Sequence, residues 1–361
     1  MGEIARRVDV VQQAAPERRI GVLALMRRRE VRGWAAVLVG LLLLALAIRS
    51  MNVVQGKTAV GILVRTTPPP AGSVRDGEPI PIVAVLGTGA GLSAPRAALA
   101  LPSGEIAVAD TGAARVTLLD GAGRLLRHIV FGSAPLAQPY ALLQDGPDFD
   151  VLEAQSGTID QFDRAGRFVR RVAQDRALQL GRGLAADSGG RFYVPNPLTN
   201  AILVLAWDGT IVRRLHSALT DRPGSFNQVG GVAVGRGGTF YVFDSFNRRV
   251  EALTAGGGYL AQWPVPAADT LNPIQILPLS GGGMLTVDPT GALLFGEAHG
   301  GMVVRHQLLL AGQPLRFASA LLTGLSRMPD GRLRVTDRQS SRLFMLSWAP
   351  PVPPIHPHRS G

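Results

Sequence analysis

One short pattern recurs along this chain and constrains its fold more than any other feature. A strand-like run ends on a polar residue, a tight turn follows, and a second strand-like run begins, as in "FYVFDSFNRRVEAL" at 240–253. Successive copies are 43, 43, 48, 44 and 49 residues apart at the strand-end position. That position is held by Asp110, Glu153, Asn196, Asp244, Asp288 and Asp337. A period of 40–50 residues with four short strands is typical of a β-propeller blade.

The number of copies and the two ends of the repeat region predict how the ring closes. Six copies between 79 and 348 predict six four-stranded blades, at about 45 residues a blade. The last copy lacks a fourth strand, because the proline-rich "APPVPPIHP" follows its third. The segment "PIPIVAVLG" at 79–87 is the predicted replacement, so the first strand is expected to pair with the last and cover an open edge.

An arginine follows the strand-end acid by five residues in three copies, at Arg115, Arg249 and Arg342. An acid in this place can accept hydrogen bonds from the N–H groups of the turn, and the arginine can pair with it. The alternative, a ring of acids around a metal, is weaker because equivalent turns lie far apart around the axis and one of them is Asn196. These positions are therefore predicted to be structural, with no metal site and no catalytic residue assigned.

Two copies resemble the NHL-repeat family of β-propellers. They are "AALALPSGEIAVADTGAARVTLLDGAGRLL" and "GVAVGRGGTFYVFDSFNRRVEAL", which match the family's run of glycine, tyrosine-valine-alanine-aspartate and arginine-valine. The resemblance implies a propeller that serves as a binding or scaffolding module. It also leaves open an enzyme, since some propellers of this kind are metal-dependent lyases or lactonase-like hydrolases.

The N-terminal region predicts a membrane anchor. "WAAVLVGLLLLALAI" at 34–48 is uninterruptedly apolar, and continuing it to Val54 gives the length that a bilayer requires. Residues 1–66 contain 11 basic and 4 acidic residues. A cluster of four arginines directly before the apolar run predicts a cytoplasmic tail at 1–33. The cluster consists of Arg27, Arg28, Arg29 and Arg32. A transmembrane helix at 34–54, a proline-rich stalk at 55–78 and a C-terminal tail at 349–361 complete the predicted organisation. The alternative is a signal peptide cleaved after Ala47, which would give a secreted protein.

Composition excludes several classes of site. The chain has no cysteine, so disulfides, thiolate metal sites and thiol nucleophiles are absent. The net charge of +11 concentrates around the apolar run, which points to membrane topology rather than to nucleic acid. Asp148 and Asp150 alternate on one strand and are expected to be solvated, and three of the histidines map to outer strands, away from the axis. No cofactor is predicted.

The remaining candidate is a binding surface on the face that carries the turns between second and third strands. Two aromatics with polar neighbours lie in its predicted loops, and exposed aromatics beside arginine suit an interface. The candidate binding residues are Phe226, Asn227, Phe246 and Arg248. The sequence thus predicts a non-catalytic module outside the cytoplasmic membrane that binds a protein or cell-envelope ligand on one propeller face.

Overall fold

Strands account for nearly all of the regular structure that the computed structural model describes, at residues 74–130, 138–266, 274–316 and 321–348. Three short 3₁₀ turns interrupt them, at Thr111–Ala113, Arg176–Leu178 and Arg236–Gly238. The described residues all belong to one compact unit of the chain, 65–361.

Four consecutive antiparallel sheets of four strands each are separate blades. Blade one contains β3 (Ala97–Ala100), β4 (Ile106–Asp110), β5 (Arg115–Leu119) and β6 (Leu125–Val130). Blade two contains β7 (Pro139–Asp145), β8 (Asp148–Glu153), β9 (Thr158–Phe162) and β10 (Phe168–Gln174). Blade three contains β11 (Ala185–Ala186), β12 (Phe192–Asn196), β13 (Ala201–Leu205) and β14 (Ile211–His216). Blade four contains β15 (Val229–Val234), β16 (Phe240–Asp244), β17 (Arg249–Leu253) and β18 (Tyr259–Pro264).

The remaining strands form one ten-stranded sheet, called the large sheet below. Its order is β19-β20-β21-β22-β2-β26-β25-β24, and β1 and β23 also pair with β22. Its strands are β1 (Val74–Asp76), β2 (Ile80–Leu86), β19 (Ile276–Pro278), β20 (Met284–Asp288), β21 (Ala292–Gly296), β22 (Val303–Leu310), β23 (Gln313–Pro314), β24 (Leu322–Arg327), β25 (Leu333–Asp337) and β26 (Arg342–Leu346).

The large sheet corrects the prediction of a six-bladed propeller. The fold is an all-β propeller with four separate blades, because strands expected in a fifth and a sixth blade are hydrogen-bonded into one sheet. The parallel pairing of Ile80 with Leu308 and of Pro81 with Leu309 makes this join. The repeat pattern could not reveal it, since the join is made by the first two residues of β2, which precede the first repeat.

The predicted pairing of the first strand with the last is confirmed. β2 runs antiparallel to β26, with Val85 opposite Phe344 and Leu86 opposite Leu343. The side chain of Leu86 is buried between the large sheet and blade one, beside Leu119 and Met345. This contact covers the edge that β26 would otherwise expose.

The core lies between neighbouring sheets, so the middle strands are buried on both faces. Every residue of β4, β16 and β25 is buried, although each ends on an aspartate. β4 and β16 accordingly read as continuous apolar runs rather than as alternating patterns, whereas β25 also buries Arg334 and Thr336. Between blades one and two, for example, Ala107 and Val116 pack against Phe149 and Val151.

The glycine before the fourth strand of blade three has a backbone reason. Gly209 adopts φ of 84°, in the left-handed region, and a Cβ there would overlap the carbonyl group of Val172 in blade two. Glycine at this turn therefore permits both the backbone bend and the close approach of the neighbouring blade.

The predicted transmembrane helix at 34–54, the tail at 1–33 and the C-terminal tail at 349–361 lie outside the described residues. Within the part of the chain that the structure describes, no helix is long and apolar enough to cross a membrane.

Candidate ligand-binding site at the channel mouth

The first strand of every repeat lines one central channel. Strands β3, β7, β11, β15, β19 and β24 surround a cavity of about 340 Å³. Its walls are mostly aliphatic, with Leu142, Leu184 and Ile276 among the lining residues. Polar side chains enter mainly where these strands begin, and that end of the channel is called the mouth below.

One residue per repeat forms the mouth, at or just before the start of each inner strand. Blades one to three place Arg96, Tyr140 and Arg182 there, blade four places Gly231, and the large sheet supplies Gln275 and Thr323. Tyr140 and Thr323 each sit where the ladder skips a residue, so they are β-bulge positions. A bulge redirects a side chain away from the regular pleat.

Two of the mouth residues are used to tie neighbouring strands together. Gln275 Oε1 accepts a hydrogen bond from the backbone N–H of Leu325 at 2.8 Å. Thr323 Oγ1 donates to the carbonyl of Arg96 at 3.0 Å, which joins the large sheet to blade one. Arg96, Tyr140 and Arg182 supply the other polar side chains of the mouth.

Arg96 and Tyr140 form a stacked pair. Arg96 Nη1 donates to the Tyr140 hydroxyl at 2.8 Å, and its guanidinium carbon lies 4.4 Å from the centre of the tyrosine ring. The Nε of Arg96 has no hydrogen-bond partner among the described residues. A planar guanidinium held on an aromatic face is fixed in orientation, which prepares it to bind a ligand.

Two further arginines act on this pair. Burial lowers the pKa of Arg96, and repulsion from Arg338 and then Arg182 lowers this pKa further. Burial also raises the pKa of Tyr140, so the hydroxyl stays neutral beside these charges. Arg338 follows the strand-end Asp337 and bonds through its own N–H to the carbonyl of Leu321, which places it at the mouth end.

The arrangement is suited to holding an anion. Arg182 and Arg338 both repel the charge of Arg96, and a negative partner beside Arg96 would relieve that repulsion. Arginine binds carboxylate or phosphate through paired N–H donors. Glu153, the strand-end acid of blade two, does not offset them at neutral pH. Its burial raises its pKa to about 8, with repulsion from Asp160 as the second cause.

Four of the five strand-end acids hold turns and connections, whereas neither carboxylate oxygen of Glu153 has a hydrogen-bond partner among the described residues. In three repeats the carboxylate accepts the N–H of a residue 16 or 17 positions earlier, which fixes the connection into the inner strand. These bonds join Ser93 to Asp110 at 2.6 Å, Asn227 to Asp244 at 2.7 Å and Leu321 to Asp337 at 2.8 Å. Asp288 accepts instead from the N–H and hydroxyl of Thr290, and from Arg305 Nε at 3.2 Å.

Asn196 replaces the acid in blade three and makes the same kinds of contact with both ends of its amide. Its Oδ1 accepts from the N–H groups of Leu198 and Thr199, and its Nδ2 donates to the carbonyls of Ala177 and Gln179. A carboxylate has no donor for those two carbonyls, so asparagine suits this copy better.

The three repeat arginines occupy different environments. Arg115 Nε donates to Asp110 at 3.0 Å, and Arg249 Nε donates to Asp244 at the same distance. Arg249 is buried and also bonds Asp221, Arg222 and Ser225 through their carbonyls. It thereby holds the connection 217–228 against blade four. Arg342, at the same place in the large sheet, is exposed.

The structure separates the four candidate binding residues. Phe226 is only 4% exposed and packs between blades three and four, and Asn227 is also buried, so neither forms the exposed surface that we expected. Phe246 is half-buried and Arg248 is exposed. The cause is Arg249 together with Asn247, whose side chains bind carbonyls of the 217–228 connection and draw it inward.

Asp150 also differs from the sequence interpretation, which left it in solvent. It is fully buried on β8, and neither carboxylate oxygen has a hydrogen-bond partner among the described residues. Burial, followed by repulsion from Asp145, raises its pKa to about 7. Glu251 in blade four is similar, since burial raises its pKa to about 7 against the opposing charge of Arg249.

Histidines lie where the sequence placed them, on the outer strands β6, β14 and β22 at His128, His216 and His306. His306 Nδ1 lies 2.8 Å from the carbonyl oxygen of Glu78, and His128 Nδ1 lies 3.1 Å from the hydroxyl of Thr117. In the described ranges, no three His, Asp or Glu side chains come together as metal ligands would.

The sequence analysis missed the mouth because it aligned the repeats from the second strand onwards. The mouth residue lies 13 or 14 positions before the strand-end residue in every copy, as Arg96 does before Asp110. An alignment extended back by one strand would have placed Arg96 and Arg182 in one column, with Tyr140 one position away.

Comparisons with known proteins support the β-propeller fold. No protein-family model and no curated protein matches the chain. Among solved structures, a streptogramin B lyase matches with a TM-score of 0.54 and 14% identity, covering 73% of this chain and 96% of the lyase. A gluconolactonase from Xanthomonas campestris matches with a TM-score of 0.53 and 14% identity, covering 75% and 98%. A catalytically inactive virginiamycin B lyase from Staphylococcus aureus with quinupristin matches at 0.50 and 12%, covering 70% and 80%.

Proposed function

We propose that this chain is an NHL-type propeller, tethered outside the cytoplasmic membrane, that binds an anionic ligand at the mouth of its central channel. The ligand is a carboxylate-bearing or phosphate-bearing group of the cell envelope or of a partner protein. In this proposal the propeller recognises and holds the ligand without converting it.

The observation that carries the proposal is that Arg96, Tyr140 and Arg182 line one end of the channel, with Arg96 bonded to Tyr140 and Arg338 close enough to lower the pKa of Arg96. The three arginines come from blades one and three and from the large sheet, so no local turn requires them to meet. Guanidinium groups recognise anions and do not readily exchange protons near neutral pH, which favours binding over acid–base catalysis.

The tether is supported by the sequence alone. The apolar run at 34–54 follows an arginine cluster, so the propeller is expected on the outer side of the membrane. A reporter enzyme fused after Gly361 is expected to be active only outside the cytoplasm. Activity inside would contradict the location and leave the anion site to be tested separately.

The binding test uses citrate and inorganic pyrophosphate as probes, titrated calorimetrically into the purified full chain. The variant Arg96→Gln/Arg182→Gln/Arg338→Gln is expected to bind at least tenfold more weakly, which corresponds to about 1.4 kcal/mol. The control is Arg236→Gln, which removes one exposed arginine from the 3₁₀ turn before β16 and should bind as the parent does.

Equal affinity in the parent and the triple variant would overturn the proposed site. The same samples are assayed for turnover of a lactone or ester that depends on a divalent cation. Such turnover by the parent would replace the proposed function with the runner-up, a propeller enzyme resembling the lyases and lactonase-like hydrolases.

A further inference from the structure

A β-bulge recurs at the start of the outermost strand of the blades. In blade one, Leu119 pairs with Leu125 and Leu118 pairs with Arg127, so Leu126 has no partner in the ladder. The same skip occurs at Val169, Val212 and Leu260 in blades two to four. It occurs again at Val83 in β2, where Ile82 pairs with Leu346 and Ala84 with Met345. These five residues are called the bulge ring below.

Every member of the bulge ring is a valine or leucine that points into solvent. Their exposed fractions are 50% for Val83, 46% for Leu126, 47% for Val169, 58% for Val212 and 50% for Leu260. A bulge alone protects an edge strand by twisting it away from other edges, and proteins add charge or proline there for the same purpose. Edge protection therefore explains the bulges but not five aliphatic side chains.

The large sheet also contains β22, an outer strand that lacks this bulge. Strand β1 occupies the edge of β22 instead. The pairing of β21 with β22 is regular from Gly296–Val303 to Ala292–Gln307. Strand β1 lies beside the start of β22, with Val74 opposite Val303. The chain that arrives from the N-terminal region thus joins the propeller at the place where the other outer strands carry a bulge.

Cationic and aromatic side chains flank the bulge ring. An arginine directly follows the bulge residue in blades one to three, at Arg127, Arg170 and Arg213. Trp207 precedes β14 in the same turn region and is 70% exposed. Aliphatic and indole side chains with arginines beside them are typical of surfaces that lie in the headgroup region of a bilayer.

We propose that the bulge ring rests on the surface of an anionic lipid bilayer. Its members occupy equivalent register positions in sheets around one axis, so they lie at a common height along that axis. A plane can meet all five together, whereas a globular partner of ordinary interface size would cover only part of so wide a ring. The inference rests on the proposed tether, since the 19 residues between Val54 and Val74 reach at most roughly 65 Å.

In this arrangement the two ends of the propeller have different roles. The bulge ring lies towards the turns between third and fourth strands, and the mouth lies at the opposite end, beside the turns between second and third strands. A propeller resting on its bulge ring therefore presents the mouth away from the membrane, where it can meet a ligand.

The absence of native cysteine allows a direct depth measurement. Single-cysteine variants Val83→Cys, Leu126→Cys and Val212→Cys of the full chain are labelled with a fluorophore and reconstituted into phosphatidylcholine–phosphatidylglycerol vesicles. The matched control is Leu198→Cys, an aliphatic residue 76% exposed in the turn between β12 and β13 at the mouth end. Quenching by lipid-attached nitroxide is expected to be at least about threefold stronger at the bulge positions, since interfacial groups enter by about 5–10 Å.

Each outcome decides the inference. The proposed membrane contact is supported if quenching is stronger at all three bulge positions than at Leu198. This quenching should also weaken in vesicles without phosphatidylglycerol, because the flanking arginines require anionic lipid. Quenching no stronger than at Leu198 overturns it while leaving the tether intact. Energy transfer between bulge labels on different chains that persists when the vesicles are diluted with excess lipid overturns it in favour of a second copy of this chain. A chain that does not sediment with the vesicles overturns the tether as well.

Discussion

At the scale of single residues, one repeated pair of side chains carries different structural roles in different copies. Arg249 is buried among Asp244, Glu251 and three carbonyls of the 217–228 connection, whereas Arg342 at the same repeat position is exposed. The repeat fixes the geometry of the turn, but the neighbouring connection determines how many hydrogen bonds the arginine makes. The two positions therefore offer a matched comparison.

Replacing Arg249 with alanine should destabilise the protein strongly. Asp244 and Glu251 would remain buried without their counter-charge, and breaking a buried pair in this way costs about 3–5 kcal/mol. Arg342→Ala should change the free energy of unfolding by at most about 0.5 kcal/mol, since that side chain is exposed. Urea unfolding followed by circular dichroism measures both. Similar losses in the two variants would contradict the role assigned to Arg249.

Buried acids should make the protein less stable as the pH rises. The folded state raises the pKa of Glu153 to about 8 because its carboxyl is buried, so the folded protein keeps a proton that the unfolded chain has already lost. Stability from this group is complete below the unfolded pKa near 4.5 and is lost as the pH rises through about 8.

Glu153→Gln should remove this pH dependence and stabilise the protein at pH 8 by a few kcal/mol, since one pKa unit is worth about 1.4 kcal/mol. The control is Glu78→Gln, which changes an exposed glutamate on the segment between β1 and β2. Thermal unfolding from pH 5 to pH 8 measures the difference. Parallel curves for the parent and Glu153→Gln would show that the buried carboxyl does not carry the extra proton.

The residue scale also shows where sequence reasoning stops. The strand-end acids were recognisable because a turn acid bonds groups close to it in sequence, and the 3.0 Å bonds to Arg115 and Arg249 connect residues only five apart. The burial of Phe226 was not recognisable, since it depends on Arg249 reaching 24–28 residues back along the chain.

At the scale of elements, β2 is the strand on which closure depends. It pairs with β26 on one side and with β22 on the other, so it completes one edge and joins two parts of the large sheet. Its two faces differ sharply. Leu86 is buried against blade one, whereas Val83 at the bulge is half exposed.

A pair of substitutions within β2 tests its register. Leu86→Ala should lower the free energy of unfolding by about 2–5 kcal/mol, as buried leucine-to-alanine changes do. Val83→Ala should change it by less than about 0.5 kcal/mol. Chemical denaturation of the full chain measures both, and a larger loss for Val83 than for Leu86 would mean that the strand is shifted by one residue.

Strand positions were predictable from the sequence to within one or two residues, and the joining of sheets was not. The strand expected within 79–87 is found at Ile80–Leu86, because the apolar run and its turn residues are local. The parallel contact of Ile80 with Leu308 joins residues 228 positions apart, and no repeat pattern encodes it.

At the scale of the whole molecule, the propeller brings together side chains that lie far apart in sequence. Arg96 and Arg338 are 242 residues apart, yet the charge of one lowers the pKa of the other across the channel mouth. The sequence could predict the ring from its period, but the convergence of particular side chains on the axis follows only from the closed structure. The account therefore depends on whether this mouth holds an anion.

Crystals soaked in sodium selenate test that claim most directly, because selenium in a tetrahedral anion is located by anomalous scattering. We expect a peak at the channel mouth with selenate oxygens about 2.7–2.9 Å from the guanidinium nitrogens of Arg96, and its loss in Arg96→Gln/Arg182→Gln crystals. An empty mouth, with selenate bound only beside exposed arginines such as Arg236, would contradict the proposed function.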